Sequence, residues 1–424
     1  MSPIQTPATA PAGQRGALYR LGLLVAGGLL AGYLAGVGKT VLVVVAIVMM
    51  IMLHELGHFV AAKWSGMKVT EYFLGFGPRL WSVRRGETEY GVKAIPAGGY
   101  VKIIGMSNLD TVEPKDESRT YRKQPYRNRL AVAVAGSTVH FLLAFMLLWT
   151  ILAVVGVEGE PTLEIGSISR LESGPSPASD AGLELGDIVV ALDGRPIDGP
   201  TELRDYVSAR PGRPIDFTVE RDGESLVLQV VPADRSKVTV VGDTGPSAAE
   251  PSGVVGIGFA PSTVKAGPLE AVGQSVTGLG RASVDTVKAL GDIFSPSGAS
   301  SYGRQLVGGG GAEPDPGDPR FLSPVGFVRV ASQAADNGWL PVLTLLFSIN
   351  VFVGLFNMIP LLPLDGGHVA IATYERLRSR RGRPYHADIS KAMPIYYAVF
   401  LVIVFLGISS LYLDVVKPLS NPFQ

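Results

Sequence analysis

Two histidines and one glutamate lie in a short segment with the spacing of a catalytic metal site. In His54-Glu55-Leu56-Gly57-His58 the imidazoles are four residues apart, so on a helix they share one face and can bind one ion. Glu55 is placed to act as a general base on water, which is the HExxH arrangement of zinc hydrolases. The chain contains no cysteine, so any metal must be held by His, Asp or Glu side chains.

The surroundings of this segment are those of a membrane protein. Residues 41–53 contain no charged side chain. The chain has 424 residues, of which 47% are hydrophobic and only 17% charged, and its mean hydropathy is +0.29. Soluble domains are nearer one quarter charged. The formal net charge is zero, which argues against broad nucleic-acid binding. We therefore expect the metal site inside the lipid bilayer or at its edge.

Four apolar runs, at residues 40–62, 130–157, 339–364 and 393–416, predict a four-span α-helical core. The loop 63–129 carries 13 Lys and Arg against 7 Asp and Glu, and basic loops face the cytoplasm. The first and third runs therefore cross from outside to inside, and the C-terminus lies outside. A further run at 21–37 predicts either an extra N-terminal span or a signal sequence with a basic start; we favour the span.

This topology supplies a third metal ligand. Asp365 lies near the cytoplasmic end of the run 339–364, which is parallel to the run that ends in His58 and reaches a similar depth. A carboxylate inside a membrane is costly unless a metal or a cation pairs with it. Two His and one carboxylate also leave zinc an open fourth position. Pro360 and Pro363 exclude regular helix before Asp365, and irregular backbone at that depth is tolerated where it lines a cavity.

Other polar side chains in the apolar runs have more than one interpretation. Asn350 and Asn357 are seven residues apart on one helical face, where they can hydrogen-bond an unwound substrate backbone or join neighbouring helices. His140 can be a metal ligand, a proton relay or a packing residue. His368 receives no role from its position.

Two segments predict folded structure outside the spans. Short strands broken by Gly and Pro between residues 75 and 103 predict a β-hairpin region beside the metal site. This region is either an ordinary cytoplasmic hairpin or an edge that an extended peptide can join. Residues 158–234 read as strands, tight turns and one amphipathic helix, which predicts a compact extracytoplasmic α/β module.

Three sequence motifs, together with the module at 158–234, which is similar to a PDZ domain, resemble the site-2 protease family of intramembrane zinc metalloproteases. The motifs are HELGH on an apolar run, Gly75-Phe-Gly-Pro78, and Asn357-Met-Ile-Pro-Leu-Leu-Pro-Leu-Asp365-Gly-Gly. The segment 75–94 is particularly similar to the actinobacterial regulators of intramembrane proteolysis. The resemblance covers nearly everything from about residue 38 to the end of the chain, and its paired metal motifs are highly specific.

The resemblance implies a multi-span membrane protease with one zinc ion, a membrane-associated β-hairpin region and one extracytoplasmic PDZ domain. The substrate would be a transmembrane helix of a membrane protein, either an anti-sigma factor already shortened by another protease or a remnant signal peptide. The PDZ domain would filter substrates by size or bind their trimmed ends. The implied site residues are the zinc ligands His54, His58 and Asp365, the general base Glu55, and the substrate-binding residues Asn350, Asn357, Pro360 and Pro363.

The predicted organisation places the enzyme in the bacterial cytoplasmic membrane with its zinc site near the cytoplasmic side. The segments in chain order are a disordered N-terminus with the extra apolar run (1–37), the catalytic span (38–64), the cytoplasmic hairpin loop (65–129), a span (130–157), the PDZ domain (158–235), an extracytoplasmic linker with an amphipathic helix and a Gly/Pro-rich loop (236–336), a span (337–368), a cytoplasmic loop (369–391), and the last span with the C-terminal tail (392–424). One departure concerns Gly136-Ser-Thr-Val-His140, where many relatives have Gly-Pro-x-x-Asn. It leaves the role of His140 open.

Two other functions compete with proteolysis. A membrane-anchored PDZ adaptor with a structural or degraded metal site has no need of a general base, and the intact Glu55 argues against it. A metal transporter would also place ionisable residues in its spans, but a PDZ module would be unusual there. The sequence leaves open the substrate, the scissile bond, the oligomeric state and the identity of the divalent metal.

Overall fold

The computed structural model describes residues 37–106, 110–171, 174–238, 251–308, 320–379 and 385–419, with isolated residues between 22 and 34. The predicted extra span 21–37 and the Gly/Pro-rich loop at 309–319 lie largely outside the described residues. In chain order the helices and strands are α1 (Gly38–Trp64), β1 (Val69–Arg85), β2 (Thr88–Ile103), α2 (Tyr126–Thr150), β3 (Val157–Ile168), α3 (Pro177–Asp180), β4 (Ile188–Leu192), β5 (Arg195–Pro196), α4 (Pro200–Ser208), β6 (Ile215–Arg221), β7 (Glu224–Val230), β8 (Ala233–Asp234), β9 (Gly253–Val254), β10 (Ile257–Val264), α5 (Pro268–Ile293), α6 (Pro296–Val307), α7 (Pro324–Asp336), α8 (Trp339–Phe356), α9 (Asp365–Arg378) and α10 (Met393–Val416).

Four helical segments of the described ranges are long and apolar enough to cross a membrane: Gly38–Trp64, Tyr126–Val155, Trp339–Phe356 and Ser390–Val416. A helix satisfies its backbone polar groups internally, which a hydrocarbon environment requires. These segments correspond to the four predicted apolar runs, and they make the chain a multi-span membrane protein.

The third of these helices, α8, ends earlier than the apolar run 339–364. Turns occupy residues 357–364, because Pro360 and Pro363 lack the N–H that a continuing helix needs. The irregular backbone predicted before Asp365 is therefore present, and α9 begins at Asp365 itself.

The described chain divides into two compact units, Met1–Ile151 with Gly267–Gln424, and Leu152–Ala266. In the first unit α2 packs against both α1 and α8. Glycines in α1 and α8 permit both of these helices to approach α2 closely. A Cβ on Gly57 of α1 would meet the Ala135 carbonyl oxygen at 2.8 Å, and a Cβ on Gly354 of α8 would lie 3.2 Å from the Cβ of His140. Small residues let membrane helices approach closely, so the C-terminal parts of α1 and α8 both pack closely against the middle of α2.

The strands β1 and β2 bend to form four arms, of which the two outer pairs are antiparallel and the two central arms, 71–74 and 89–92, follow a parallel register. Residues 71–74 pair on one side with 99–102 and on the other with 89–92, and 81–85 pair with 88–92. The arms are therefore ordered 81–85, 88–92, 71–74 and 99–103, and the last of them forms one edge of the sheet. Gly75 and Gly77 have φ of 85° and 82°, a conformation that glycine adopts without a steric cost, and they lie where β1 bends.

Ion pairs tie the turn of this sheet to the end of α1. The Glu87 carboxylate accepts hydrogen bonds from the Arg119 guanidinium at 2.7 and 2.8 Å and from Lys63 Nζ at 2.5 Å. Arg119, and after it Lys63, hold the pKa of Glu87 at about 2. The sheet is therefore fastened to the span that carries the HExxH segment.

Buried charges hold the C-terminal end of α10. Asp414 Oδ1 accepts from Arg320 Nη2 at 2.9 Å, Asp414 Oδ2 accepts from the backbone N–H of Ser323 at 2.7 Å, and Arg329 donates to the Asp414 carbonyl at 2.9 Å. The side chains of Arg320 and Asp414 are 5% and 2% exposed. The carboxylate also lies at the N-terminus of α7, where negative charge is favourable.

The second unit contains an antiparallel sheet with the strand order β10-β3-β4-β6-β7 and a core of buried aliphatic side chains around Phe217. The buried Asp187 accepts from Arg221 Nε at 2.7 Å, and this hydrogen bond lowers the pKa of Asp187. The unit is larger than the predicted module 158–235, because β10 pairs along β3 although its residues fall in the predicted linker. Its identification as a PDZ domain stays a prediction.

Candidate metal centre

The two histidines of the HExxH segment lie side by side on α1, as their spacing predicts. Both are buried, with 9% and 5% of His54 and His58 exposed, and their Nε2 atoms are 3.2 Å apart. The apolar helix continues without a break through both residues. One turn of helix therefore presents two nitrogen donors to a common point.

Asp365 brings a third donor to the same point from about 300 residues away in the chain. Its Oδ2 atom is 3.4 Å from His54 Nε2 and 3.2 Å from His58 Nε2. The turn that precedes it is held by a hydrogen bond of 2.7 Å from the Gly366 N–H to the Asn357 carbonyl. A Cβ at Gly366 would collide with the carbonyl oxygens of this turn, so glycine allows the tight approach.

These three side chains have the geometry of a metal-binding group. Their donor atoms all lie within 4.8 Å of one another, at pairwise separations of 3.2 to 3.4 Å. Three donors bound to one tetrahedral zinc at about 2.0–2.1 Å would be about 3.3 Å apart. Two nitrogens and one carboxylate oxygen are also ligands that zinc accepts. The residues therefore fit a zinc ion.

Gly136 of α2 leaves the space that an ion needs. A Cβ at this position would stand 2.5 Å from His58 Nε2 and 2.6 Å from His54 Nε2. Sequence reasoning noted Gly136 within its span but gave it no role in the site. The sequence did contain an indication of this role. A glycine inside a helix lowers helix stability by about 1 kcal/mol relative to alanine, so its presence there suggests that a close neighbour leaves no room for a side chain.

The outward-facing nitrogens of the two histidines differ. His58 Nδ1 donates to the Val132 carbonyl at 2.7 Å, which keeps its Nε2 directed at the common point. His54 Nδ1 is buried without a hydrogen-bond partner. Residues Val132, Gly136 and His140 follow one another at intervals of four positions along α2, so one face of this helix lines the site.

Glu55 lies beside the site but is not one of the three converging donors. It is partly buried. A Cβ on Gly99 of β2 would lie 3.1 Å from Glu55 Cγ, and the backbone N–H of Val101 lies near the Glu55 carboxylate. The edge arm 99–103 of the bent sheet is therefore in contact with the predicted general base.

The structure separates Asn350 from the other predicted substrate-binding residues. Asn350 is 2% exposed, and its amide bonds His140 Nδ1 at 2.9 Å and the Leu346 carbonyl at 2.7 Å. The alternative interpretation, in which Asn350 joins two helices, describes these contacts. Asn357 is partly buried, and Pro360 and Pro363 are exposed in the turn before Asp365. Their contact with a substrate stays a prediction.

Further contacts hold α9, which begins at Asp365. Glu375 on this helix forms a buried ion pair of 2.6 Å with Arg129 of α2, and it accepts from the Ala387 N–H at 2.7 Å. His368, which sequence reasoning left unassigned, packs edge-on against the Tyr121 ring at 6.2 Å. These contacts fix the direction from which Asp365 reaches the histidines.

Comparison with known proteins gives one consistent family. The model of peptidase family M50 matches residues 42–404. Zinc metalloprotease Rip1 of Mycobacterium tuberculosis is 34% identical over 402 residues, which cover 89% of this chain and 97% of that protein. Zinc metalloprotease Rip1 of Mycolicibacterium smegmatis is 35% identical over 429 residues, which cover 91% of this chain and 98% of that protein.

The family match includes two membrane helices completely, most of the first and part of the last, and every donor of the candidate centre. The relatives are zinc metalloproteases by name, and the donors suit zinc. The predicted resemblance is therefore confirmed: the chain belongs to peptidase family M50, the site-2 protease family, and is an intramembrane zinc metalloprotease.

Proposed function

We propose that His54, His58 and Asp365 bind the single catalytic zinc ion and that Glu55 is the general base. The observation that carries this proposal is the convergence of three donor atoms from two distant segments around the space left by Gly136. Two His and one carboxylate leave one position open for chemistry. A structural site would use all positions and would not need Glu55 beside it.

Peptide hydrolysis then follows from the positions of these groups. When bound, zinc polarises the scissile carbonyl and lowers the pKa of water. Glu55 takes a proton from the attacking water and passes it to the leaving amine. The Val132 carbonyl holds the His58 ring in the orientation that its ligand role needs.

The proposed substrate is a transmembrane helix that has been unwound beside the zinc site. A helix hides its peptide bonds in internal hydrogen bonds, so one stretch must become extended before cleavage. The edge arm 99–103 touches Glu55 and can pair with such a stretch by strand addition. Asn357, Pro360 and Pro363 belong to the turn before Asp365 and are proposed to contact the same stretch, with Asn350 supporting them from α8.

Substrate identity and membrane orientation are part of the same proposal. The resemblance favours anti-sigma factors that another protease has already shortened, or remnant signal peptides. The basic loop 63–129 favours a cytoplasmic position for the bent sheet and the nearby zinc site. The unit Leu152–Ala266 is then extracytoplasmic and is proposed to be a PDZ domain that filters substrates by size or binds their ends. The run 21–37 is proposed to be an additional span.

Replacement of the general base tests the reaction. Glu55→Gln should abolish cleavage of a membrane-protein substrate in cells and in vesicles, because the amide cannot accept the proton, while one zinc per chain remains bound. His54→Ala should lose both zinc and cleavage. Comparison of membrane-protein fragments from cells with wild-type and Glu55→Gln protein would also reveal the substrate. Undiminished turnover by Glu55→Gln would refute the assignment, and zinc flux into liposomes would favour a transporter.

A further inference from the structure

His140 is a buried titratable residue that the proposed reaction does not use. It lies on α2 with 1% of its surface exposed, and its ring centre is 5.0 Å from that of His54 with the planes inclined by 42°. It does not belong to the three converging metal donors. Its close contact with the ring of a proposed zinc ligand therefore requires another explanation.

The hydrogen bonds of Asn350 determine which nitrogen of His140 carries a proton. Asn350 Nδ2 donates to the Leu346 carbonyl at 2.7 Å, so the amide oxygen is the atom that faces His140 Nδ1 at 2.9 Å. An amide oxygen can only accept, so Nδ1 must be the donor. In the neutral imidazole Nε2 is then left with a free lone pair, and it can act only as an acceptor.

His54 presents the complementary group. If its Nε2 binds the metal, its Nδ1 carries the hydrogen, and a ligating histidine nearly always donates that hydrogen to an acceptor. His58 does so through the Val132 carbonyl, whereas His54 Nδ1 is buried without a partner. Two imidazoles joined by an N–H···N bond of about 3 Å have ring centres about 5 Å apart, which is the separation found for His54 and His140.

We propose that His140 is a positioning residue for zinc binding, whose Nε2 accepts the Nδ1–H of His54 and thereby fixes the His54 ring. Asn350 sets the tautomer that makes this possible, and the chain Asn350–His140–His54 connects α8, α2 and α1. The inference rests on the proposed role of His54 as a zinc ligand. The competing acceptor is the Gly136 carbonyl, which also lies near His54.

Zinc affinity of the purified full-length protein, measured by competition with a chromophoric chelator, tests this role without reference to catalysis. His140→Phe keeps a ring but has no acceptor, and we expect its zinc dissociation constant to rise about 10- to 100-fold. His140→Gln restores both an acceptor and a donor, so its affinity should return to within a few-fold of wild type. Thr138→Val, at an exposed position of the same helix, is the matched control and should bind zinc normally.

Asn350→Leu provides an independent variant, because it frees the tautomer of His140 without touching His54. It should weaken zinc binding in the same direction, and in combination with His140→Phe it should add little. Unchanged affinity in His140→Phe would overturn this inference and would favour the Gly136 carbonyl, with the zinc ligands unaffected. Full zinc content in His54→Ala would instead overturn the proposed ligand set, so the two failures are distinguishable.

Discussion

The Cα of Gly136 faces the imidazole of His58 so closely that a Cβ there would stand 2.5 Å from His58 Nε2. The same Cβ would lie 2.6 Å from His54 Nε2, which is the region that an ion between the two nitrogens would occupy. α2 thus contributes to the metal centre by the absence of a side chain. A residue of a different helix that has no functional group therefore leaves the space that the two histidines need for an ion.

Gly136→Ala should therefore prevent zinc binding. We expect bound zinc to fall by about tenfold or more and proteolysis to fall with it, because the methyl group takes the place of the ion. Alanine favours a helix over glycine by about 1 kcal/mol, so general unfolding is not the expected cause. Metal analysis of the purified protein is the measurement. Gly273→Ala in α5, where a Cβ meets nothing within 4 Å, is the control, and normal zinc content in Gly136→Ala would contradict the prediction.

The edge arm 99–103 should be needed for cleavage but not for zinc. Val101→Pro removes the N–H that reaches Glu55 and blocks strand addition along this edge. We expect a loss of turnover of about tenfold or more, with one zinc retained. Leu80→Pro changes an exposed residue of β1 that has no partner in the register of the bent sheet, and it should cleave normally. Equal turnover of the two variants would show that strand addition along this edge is not part of the mechanism.

The ion pairs of Glu87 should make stability depend on pH. The neighbouring Arg119 and Lys63 lower the pKa of Glu87 from its ordinary value of 4.5 to about 2 in the folded protein. A lowered pKa means that the stabilisation is complete above pH 4.5 and is lost as the pH falls toward 2. The unfolding temperature of wild type should therefore exceed that of Glu87→Gln at pH 7, and the difference should narrow below pH 4.5. Glu113→Gln, which removes a mostly exposed carboxylate, should show no such difference.

Removal of one partner of the buried pair of Asp414 and Arg320 should strongly destabilise the folded protein. Asp414→Ala leaves a guanidinium buried without its counter-charge and Ser323 N–H without an acceptor. We expect a loss of about 3–5 kcal/mol in the free energy of unfolding, measured by titration with a denaturing detergent. Asp285→Ala breaks an exposed pair with Lys288 and should cost less than about 1 kcal/mol. A similar cost for both variants would mean that the buried pair has little structural role.

Much of the membrane core was predictable because its signals are local. Helical periodicity alone places His54 and His58 on one face, and charge-free runs identify membrane helices because their length must match the bilayer. The prolines at 360 and 363 predicted the irregular turn before Asp365 for an equally local reason, the missing backbone donor. The distribution of basic residues then suggested that Asp365 reaches the depth of the histidines, and the structure brings the three side chains together.

The remaining features of the fold depend on contacts between segments that are distant in the chain. The sequence of either segment alone does not indicate its partner. The four-arm path of β1 and β2 arises from double pairing of residues 71–74, whereas the sequence showed only short strands separated by Gly and Pro. β10 joins the second unit by pairing with β3 across about 100 residues, so its sequence resembled a linker. The position of Asn350 allowed either a substrate contact or a contact between helices, and only the packing of α8 on α2 shows that His140 is its hydrogen-bond partner.

The sequence by itself determined the chemistry of this protein: two imidazoles, one carboxylate and one base in an apolar chain. Side-chain type and helical spacing are sufficient for that, since both act over a few residues. The tertiary structure decided which space the ion can occupy and which edge meets Glu55. Gly136 has no functional group, so only the close packing of α2 against α1 gives it a role in the metal centre.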